Sequence, residues 1–320
     1  MSNAFQNYYT PPSSANWTGR VDGSDRSHLR WHQIVKSIHL DETENLSGRF
    51  VLLGYACDEG VIRNLGRAGA AKAPQTLRKS LSNLPVHQPQ QTDIIDVGDI
   101  HCHDSNLEAS QEALGEAVAH ILKKGGFPIV LGGGHEVTFG HYLGLRKVSD
   151  KKIGIINFDA HFDIREPQDH KATSGTGFYQ IAQQEERFHY LPIGIQQISN
   201  TQALFNTAQT YGVNWIEAQD FDVTNQVIIQ DRLSSFIREI DQLYVTVDMD
   251  VFAAPYAPGV SAPAYNGILP NPFFISVFER IITSPKFVSI DFAELNPAYD
   301  IDNRTAKLAA DLIFRIVKLL

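Results

Sequence analysis

Short apolar runs recur along most of the chain, and the stretches between them return apolar residues at helical spacing. RFVLLGYA (49–56), TDIIDVGDI (92–100), FPIVL (127–131), KIGIINF (152–158), YLPIGI (190–195), VNWIEAQD (213–220), LYVTVD (243–248) and FVSIDFA (287–293) read as eight strands. Helices are expected from about Pro74, through NLEASQEALGEAVAHILKKGG with a stop at Gly125, from near Val137, from about Asn200, and around 227–240, 272–283 and 302–320. This is a βαβ rhythm. Strands that are apolar throughout, with little alternation, belong in a parallel sheet covered on both faces, and ligands gather beyond the carboxyl ends of such strands. A closed eight-stranded barrel would place its site in the same way, so periodicity leaves sheet and barrel both open. Residues 1–48 are polar and lack a clear period. They read as an N-terminal arm, and 49–320, without repeat or composition break, as one catalytic domain.

Three of the strand ends carry metal-capable side chains. IGIINF runs into Asp159, His161 and Asp163, whose alternate spacing would put them on one side of an extended chain. PIVLGGGHE brings His135 past three glycines, and YVTVDMDVF brings Asp248 and Asp250. A lone His or Asp at a strand end is usually a cap or a solvated residue; three such clusters, each after an apolar run, ask for more. Four carboxylates and two imidazoles suit two divalent cations better than one, and an oxygen-rich set with imidazole points to manganese-like ions. GGGH lacks the spacing and lysine of a phosphate loop, and no GxSxG nucleophile elbow is present.

Composition narrows the partners. A net charge of −9, from 27 Lys+Arg against 36 Asp+Glu, argues against a nucleic-acid surface. No run reaches the ~20 apolar residues of a membrane span, and the first residues lack a secretory pattern, so no membrane partner is expected. Cys57 and Cys102 are too few for a disulfide framework and read as free thiols of a cytoplasmic protein, with one bridge between them still open.

Taken together, GGGHE, NFDAHFD, VDMDVF and FAELNP, in that order, resemble the ureohydrolase (arginase and agmatinase) superfamily from about residue 50 to the C-terminus. Within it, GVIRNLGRAGA, SGT, APGVSAPA and Glu136 are most similar to formimidoylglutamases. The resemblance implies a three-layer α/β/α sandwich around an eight-stranded parallel sheet. It also implies two Mn2+ ions, one held by His135, Asp159, Asp163 and Asp248 and the other by Asp159, His161, Asp248 and Asp250. The expected substrate is a small molecule, N-formimidoyl-L-glutamate of histidine degradation, cleaved to L-glutamate and formamide by water activated between the ions. Glu294 would orient the cationic formimidoyl group, and Asp163 would move a proton to the leaving nitrogen.

Because that substrate carries two carboxylates, cationic or amide donors are expected around it, with Arg63, Asn64 and Arg165 as candidates. Two departures bear on substrate choice: SGTGF places Gly177 where many relatives have proline, and SAPAYNG places Asn266 where they have arginine. Phe178 falls where arginases carry a proton-shuttling histidine, which disfavours arginine as substrate. The alternatives are a guanidino-acid or agmatine hydrolase releasing urea, and a metal-binding or regulatory relative without catalysis. Superfamily relatives commonly form oligomers, so a homo-oligomer is open, with no subunit number legible.

Overall fold

The computed structural model describes residues 3–87 and 92–320. Two short strands come first, β1 (Tyr9–Thr10) and β2 (Lys36–Ser37), then β3 (Arg49–Ala56), β4 (Asp93–His101), β5 (Phe127–Leu131), β6 (Ile153–Phe158), β7 (His189–Ile195), β8 (Ile216–Glu217), β9 (Gln242–Asp248) and β10 (Phe287–Ala293). They lie in the order β1-β4-β3-β5-β10-β9-β6-β7-β8, with β2 also beside β4. Every pairing among β3 to β10 is parallel, so all eight apolar runs share one sheet. β4 and β8 stand at opposite ends of that set rather than pairing with each other, which makes it an open sheet and not a barrel.

Pleating sends alternate residues of each strand to opposite faces, and the apolar residues divide accordingly. Leu52, Ile129, Phe158, Val245 and Phe292 pack in one cluster with Leu77, Leu233, Phe278 and Ile313, from the helices Ala73–Ser82, Gln226–Glu239, Pro272–Ile282 and Arg304–Leu319. On the other face Val51, Val97 and Val130 meet Leu114 and Val118 of the helix Leu107–Lys123. There too, Ile155 and Tyr244 meet Tyr142, Ile181 and Leu204 of the helices Val137–Arg146, Gly177–Ala182 and Gln202–Thr210. With both faces covered, strand residues have nowhere polar to point. β6 is accordingly buried at all six positions. The outcome is the three-layer α/β/α sandwich.

Local chemistry explains most boundaries. Leu107–Lys123 starts where the Asn106 side chain accepts from the Ala109 amide, and it stops before Gly125, whose φ of +82° suits only a residue without Cβ. Pro272 opens its helix behind Asn271, which accepts from the Phe274 amide. Two segments differ from the sequence reading. The run 213–220 yields only Ile216–Glu217, because β8 is an edge strand and pairs with β7 alone. The loop after β3 also contains a short helix, Glu59–Arg63.

The polar 1–48 segment, of which Met1 and Ser2 lie outside the described residues, adds β1 antiparallel and β2 parallel to β4, which raises the count from eight strands to ten among the described residues. Its tryptophans are the reason it stays on the fold. Trp31 is fully buried, and Trp17 donates its indole N–H to Asp96 Oδ2 at 2.8 Å. Asp96 is itself paired with the buried Arg78, which reaches Asp99 as well. A buried Arg with two carboxylates is a satisfied pair, and the indole joins it.

The strand order fixes where chemistry can occur. β5, β10, β9 and β6 are consecutive at the middle of the sheet. The segments carrying His135, Glu294, Asp248 and Asp159 leave the carboxyl ends of those four strands. Val247 pairs with both Phe158 and Phe292, and Phe292 pairs with Leu131, so the four ends are level.

Candidate metal centre

His135 reaches the centre because its loop can thread between neighbours. A Cβ at Gly133 would stand 1.7 Å from the carbonyl oxygen of Cys57, and one at Gly132 would stand 2.6 Å from that of Phe292. The glycines of GGGH are therefore a close-approach device and not a phosphate cradle.

Strand alternation does not, in the event, gather Asp159, His161 and Asp163. β6 ends at Phe158, and the three residues lie in a turn beyond it. Asp159 Oδ1 accepts from the His161 amide at 2.6 Å, and Asn200 holds the turn through Phe162 N and Ala160 O. Asp163 has a φ of +45° and Glu294 one of +64°, left-handed conformations that a side chain with Cβ adopts only when its surroundings impose them. The Asp163 carbonyl accepts from the Phe178 amide, and the Glu294 amide donates to Gly133 O. Asp248 closes β9, and its Oδ1 accepts from the Asp250 amide at 2.8 Å, turning Asp250 inward.

The six side chains form two overlapping groups whose ligand atoms lie within 4.8 Å of one another: His135, Asp159, Asp163 and Asp248, and then Asp159, His161 and Asp250. Asp159 belongs to both. Asp248, expected in both sets, falls in the first group only, with its Oδ2 3.2 Å from His135 Nδ1.

The protonation of His135 follows from its partners. Thr246 has one hydroxyl hydrogen and gives it to Asp291 Oδ1 at 2.5 Å, so at 3.0 Å it can only accept from His135 Nε2–H. Asp291 is fixed in turn by His141 Nδ1 at 2.7 Å and by the hydroxyl of Tyr244. Neutral His135 must then present the Nδ1 lone pair to Asp163, Asp159 and Asp248 at 2.8, 3.1 and 3.2 Å. A lone pair facing three carboxylate oxygens is tenable only with something positive between them. The positive charge is either a cation or a proton: burial alone would lower the imidazole pKa, but the three carboxylates outweigh it and hold it well above its usual value, so without a cation the ring itself carries the charge. Burial and the neighbouring Asp248 likewise push the Asp250 carboxyl up, and its buried Oδ1 has no hydrogen-bond partner among the described residues. Oxygen and nitrogen donors, an orphaned carboxylate oxygen and an outward-fixed tautomer all fit hard divalent cations.

Four members of the cluster, His161, Asp163, Asp248 and Asp250, line a cavity of about 320 Å³ together with Val61, Asn64, Arg67, Arg165, Ser261 and Glu294. Glu294 is buried, accepts from the His135 amide at 2.9 Å, and is held well above the ordinary carboxylate range by burial and by Asp248 and Glu136. Asn64 donates to Ser174 Oγ at 3.2 Å, and Arg165 is exposed and has no ion pair among the described residues.

Arg63 stands apart from this cavity. It binds Glu59 at 3.0 Å and Glu108 at 2.7 Å, as well as the carbonyls of Ser105 and Ala172, and so ties two loops together. Arg67, in the same loop, lines the cavity instead. Spacing alone offered no way to choose between them. Asn266 sits in a neighbouring recess with Gln197, Ile198 and Glu217, away from the cluster. Phe178 is buried, stacked on Tyr190 with ring centroids 4.2 Å apart and edge-on to His135, so it is a wall of the centre and carries no proton. Gly177 opens the helix in front of it, where a Cβ would find ordinary contact distances.

The chain is similar to known proteins along nearly its whole length. A formimidoylglutamase of Rhodococcus jostii (strain RHA1) is 46% identical over 98% of this chain and 97% of the relative, and one of Chromobacterium violaceum is 44% identical over 94% and 96%. Among solved structures, formimidoylglutamase from Bacillus subtilis superposes with a TM-score of 0.82 at 23% identity, over 99% of this chain and 98% of that one. A variant of Trypanosoma cruzi formiminoglutamase containing Mn2+ superposes with a TM-score of 0.76 at 26% identity, over 84% and 92%. The model of the Arginase family matches residues 48–318, and the chain belongs to the arginase family.

Proposed function

We propose that the protein is a binuclear manganese hydrolase that cleaves N-formimidoyl-L-glutamate to L-glutamate and formamide in cytoplasmic histidine degradation. One observation carries this reading: a single cavity brings side chains of the His/Asp cluster and buried Glu294 together with Arg165, which has no ion pair among the described residues. An acidic floor receives cations and a protonated amidine, and a guanidinium receives a carboxylate. The relatives named formimidoylglutamase support the choice of substrate.

His135, Asp159, Asp163 and Asp248 would hold one ion, and Asp159, His161 and Asp250 the other. A bound pair of divalent cations supplies Lewis acidity, bringing water to its nucleophilic form near neutral pH. The chain's own groups do the rest. Glu294 accepts hydrogen bonds from the formimidoyl nitrogens and presents the amidine carbon toward the floor, while Asn64 and Arg165 hold the glutamate part. One water adds to that carbon, the bond to the glutamate nitrogen breaks, and Asp163 delivers the proton this nitrogen needs. Formamide and the amine of L-glutamate leave, and atoms balance with one water consumed. Phe178, where arginases have a histidine, leaves this proton to Asp163.

Agmatine is disfavoured because its far end is cationic and would face arginine. The test is a side-by-side assay of manganese-loaded protein with formimidoylglutamate, arginine, agmatine and guanidinobutyrate. Turnover of the first alone supports the reading, and urea from any of the others overturns it.

A further inference from the structure

Arg63 and Arg67 share a loop but not a situation. Arg63 meets two carboxylates, and its charge is answered. Arg67 is half-buried, lines the cavity above the cluster, and has no carboxylate partner among the described residues. Its guanidinium is nevertheless held firmly. The face lies over Tyr299, 3.9 Å from the ring centroid, Nε donates to Ser261 O at 2.9 Å, and Nη2 donates to Val260 O. The main chain is fixed as well: the Arg67 amide donates to Ser261 Oγ at 2.8 Å, and its carbonyl accepts from Asn296, two residues beyond Glu294.

A guanidinium has five N–H donors in a planar fork. Two are spent on the 260–261 backbone, and the remaining three, both on Nη1 and one on Nη2, have no protein acceptor among the described residues. A brace of the Arg63 kind uses its donors on the protein and is neutralised there. Arg67 is immobilised along one edge and one face, with a donor pair left over, which is the geometry of a carboxylate fork waiting for its anion. Arg165 is the second arginine lining the same cavity, also without an ion pair among the described residues.

We propose that Arg67 is a specificity-determining residue that binds one of the substrate's two carboxylates, while Arg165 binds the other. The pair forms a clamp that selects dicarboxylate amidines over monocarboxylate or cationic ones. This rests on the amidine-hydrolase reading above.

The experiment measures kcat and KM of manganese-loaded wild type, Arg67→Ala and Arg67→Lys on N-formimidoyl-L-glutamate, on its γ-carboxamide and on its α-carboxamide. Losing charged hydrogen bonds lowers kcat/KM for the diacid roughly 10- to 100-fold in Arg67→Ala, chiefly through KM. Against the one carboxamide that lacks the group Arg67 holds, the same variant should lose almost nothing further. Arg165→Ala should show the complementary insensitivity. Arg67→Lys, which keeps the charge but not the fork, should fall between wild type and Arg67→Ala with the same substrate pattern. An equal loss on all three substrates would mean that Arg67 only braces the 260–261 loop, and would overturn the inference alone. A wild type that does not turn over formimidoylglutamate would overturn the parent reading and this inference with it.

Discussion

The backbone amide of His135 donates to Oε1 of Glu294 at 2.9 Å, so the residue whose ring faces the carboxylate cluster also holds the acid that lines the cavity. Level ends of β5 and β10, paired through Leu131 and Phe292, make this contact. On the proposed reading, a cation drawing on His135 and an amidine drawing on Glu294 would be kept in one geometry.

Glu294→Gln tests the orienting role. Glutamine keeps an oxygen for the His135 amide but loses the charge that answers a cationic amidine. Metal content should stay at the wild-type level while kcat falls on the order of 100-fold. Metal analysis with steady-state kinetics checks this, and unchanged turnover would remove Glu294 from the mechanism.

Thr246→Val tests the buried relay from Asp291 through Thr246 to His135 Nε2. Valine has nearly the same shape but accepts no hydrogen bond, so the His135 tautomer is no longer enforced. Manganese affinity should weaken roughly 10- to 100-fold, with substrate preference unaltered once metal is saturating. Calorimetric titration of metal-free protein reads it, and an unaltered Kd would show the relay to be packing only.

Arg63 and Arg165 should now separate. Arg63→Ala leaves Glu59 and Glu108 without their partner and should cost about 1–3 kcal/mol of stability, seen as a lower Tm, with KM little changed. Arg165→Ala should raise KM with Tm little changed. The reverse pattern would return Arg63 to the pocket.

That contrast marks where the sequence stops being legible. All eight parallel strands and the six candidate ligands could be read from it, because a doubly covered strand leaves an unbroken apolar run and a metal demands several donors. The choice of Arg67 over Arg63 could not, since it depends on Glu108 and Ser261, both distant along the chain. The relay behind His135 was hidden for the same reason: Thr246, Asp291 and His141 sit within apolar runs or a helix where single polar residues carry no pattern. The 1–48 segment gave no period because it follows the sheet edge, with Trp17 and Trp31 as its anchors.

Tyr9 gives a test of that edge. Its hydroxyl donates to Val97 O and accepts from the Leu40 amide, and burial pushes its pKa up from 10.0 to about 12. A raised acid pKa means that the folded state favours the neutral form. Stability contributed by the neutral hydroxyl is whole below pH 10 and is lost as pH rises toward 12. The stability difference between wild type and Tyr9→Phe should therefore shrink across that window. Denaturant titrations at several pH values measure it, and a constant difference would place Tyr9 in contact with solvent.

The most direct test of the whole account follows the fate of the amidine carbon. Carbon-13-labelled formimidoylglutamate is incubated with manganese-loaded protein, and the products are read by NMR, with and without chelator. The account predicts formamide and glutamate in equal amounts, lost on chelation and restored by manganese. Formylglutamate with ammonia would place the cleavage at the wrong nitrogen, and turnover unaffected by chelation would contradict the metal centre itself.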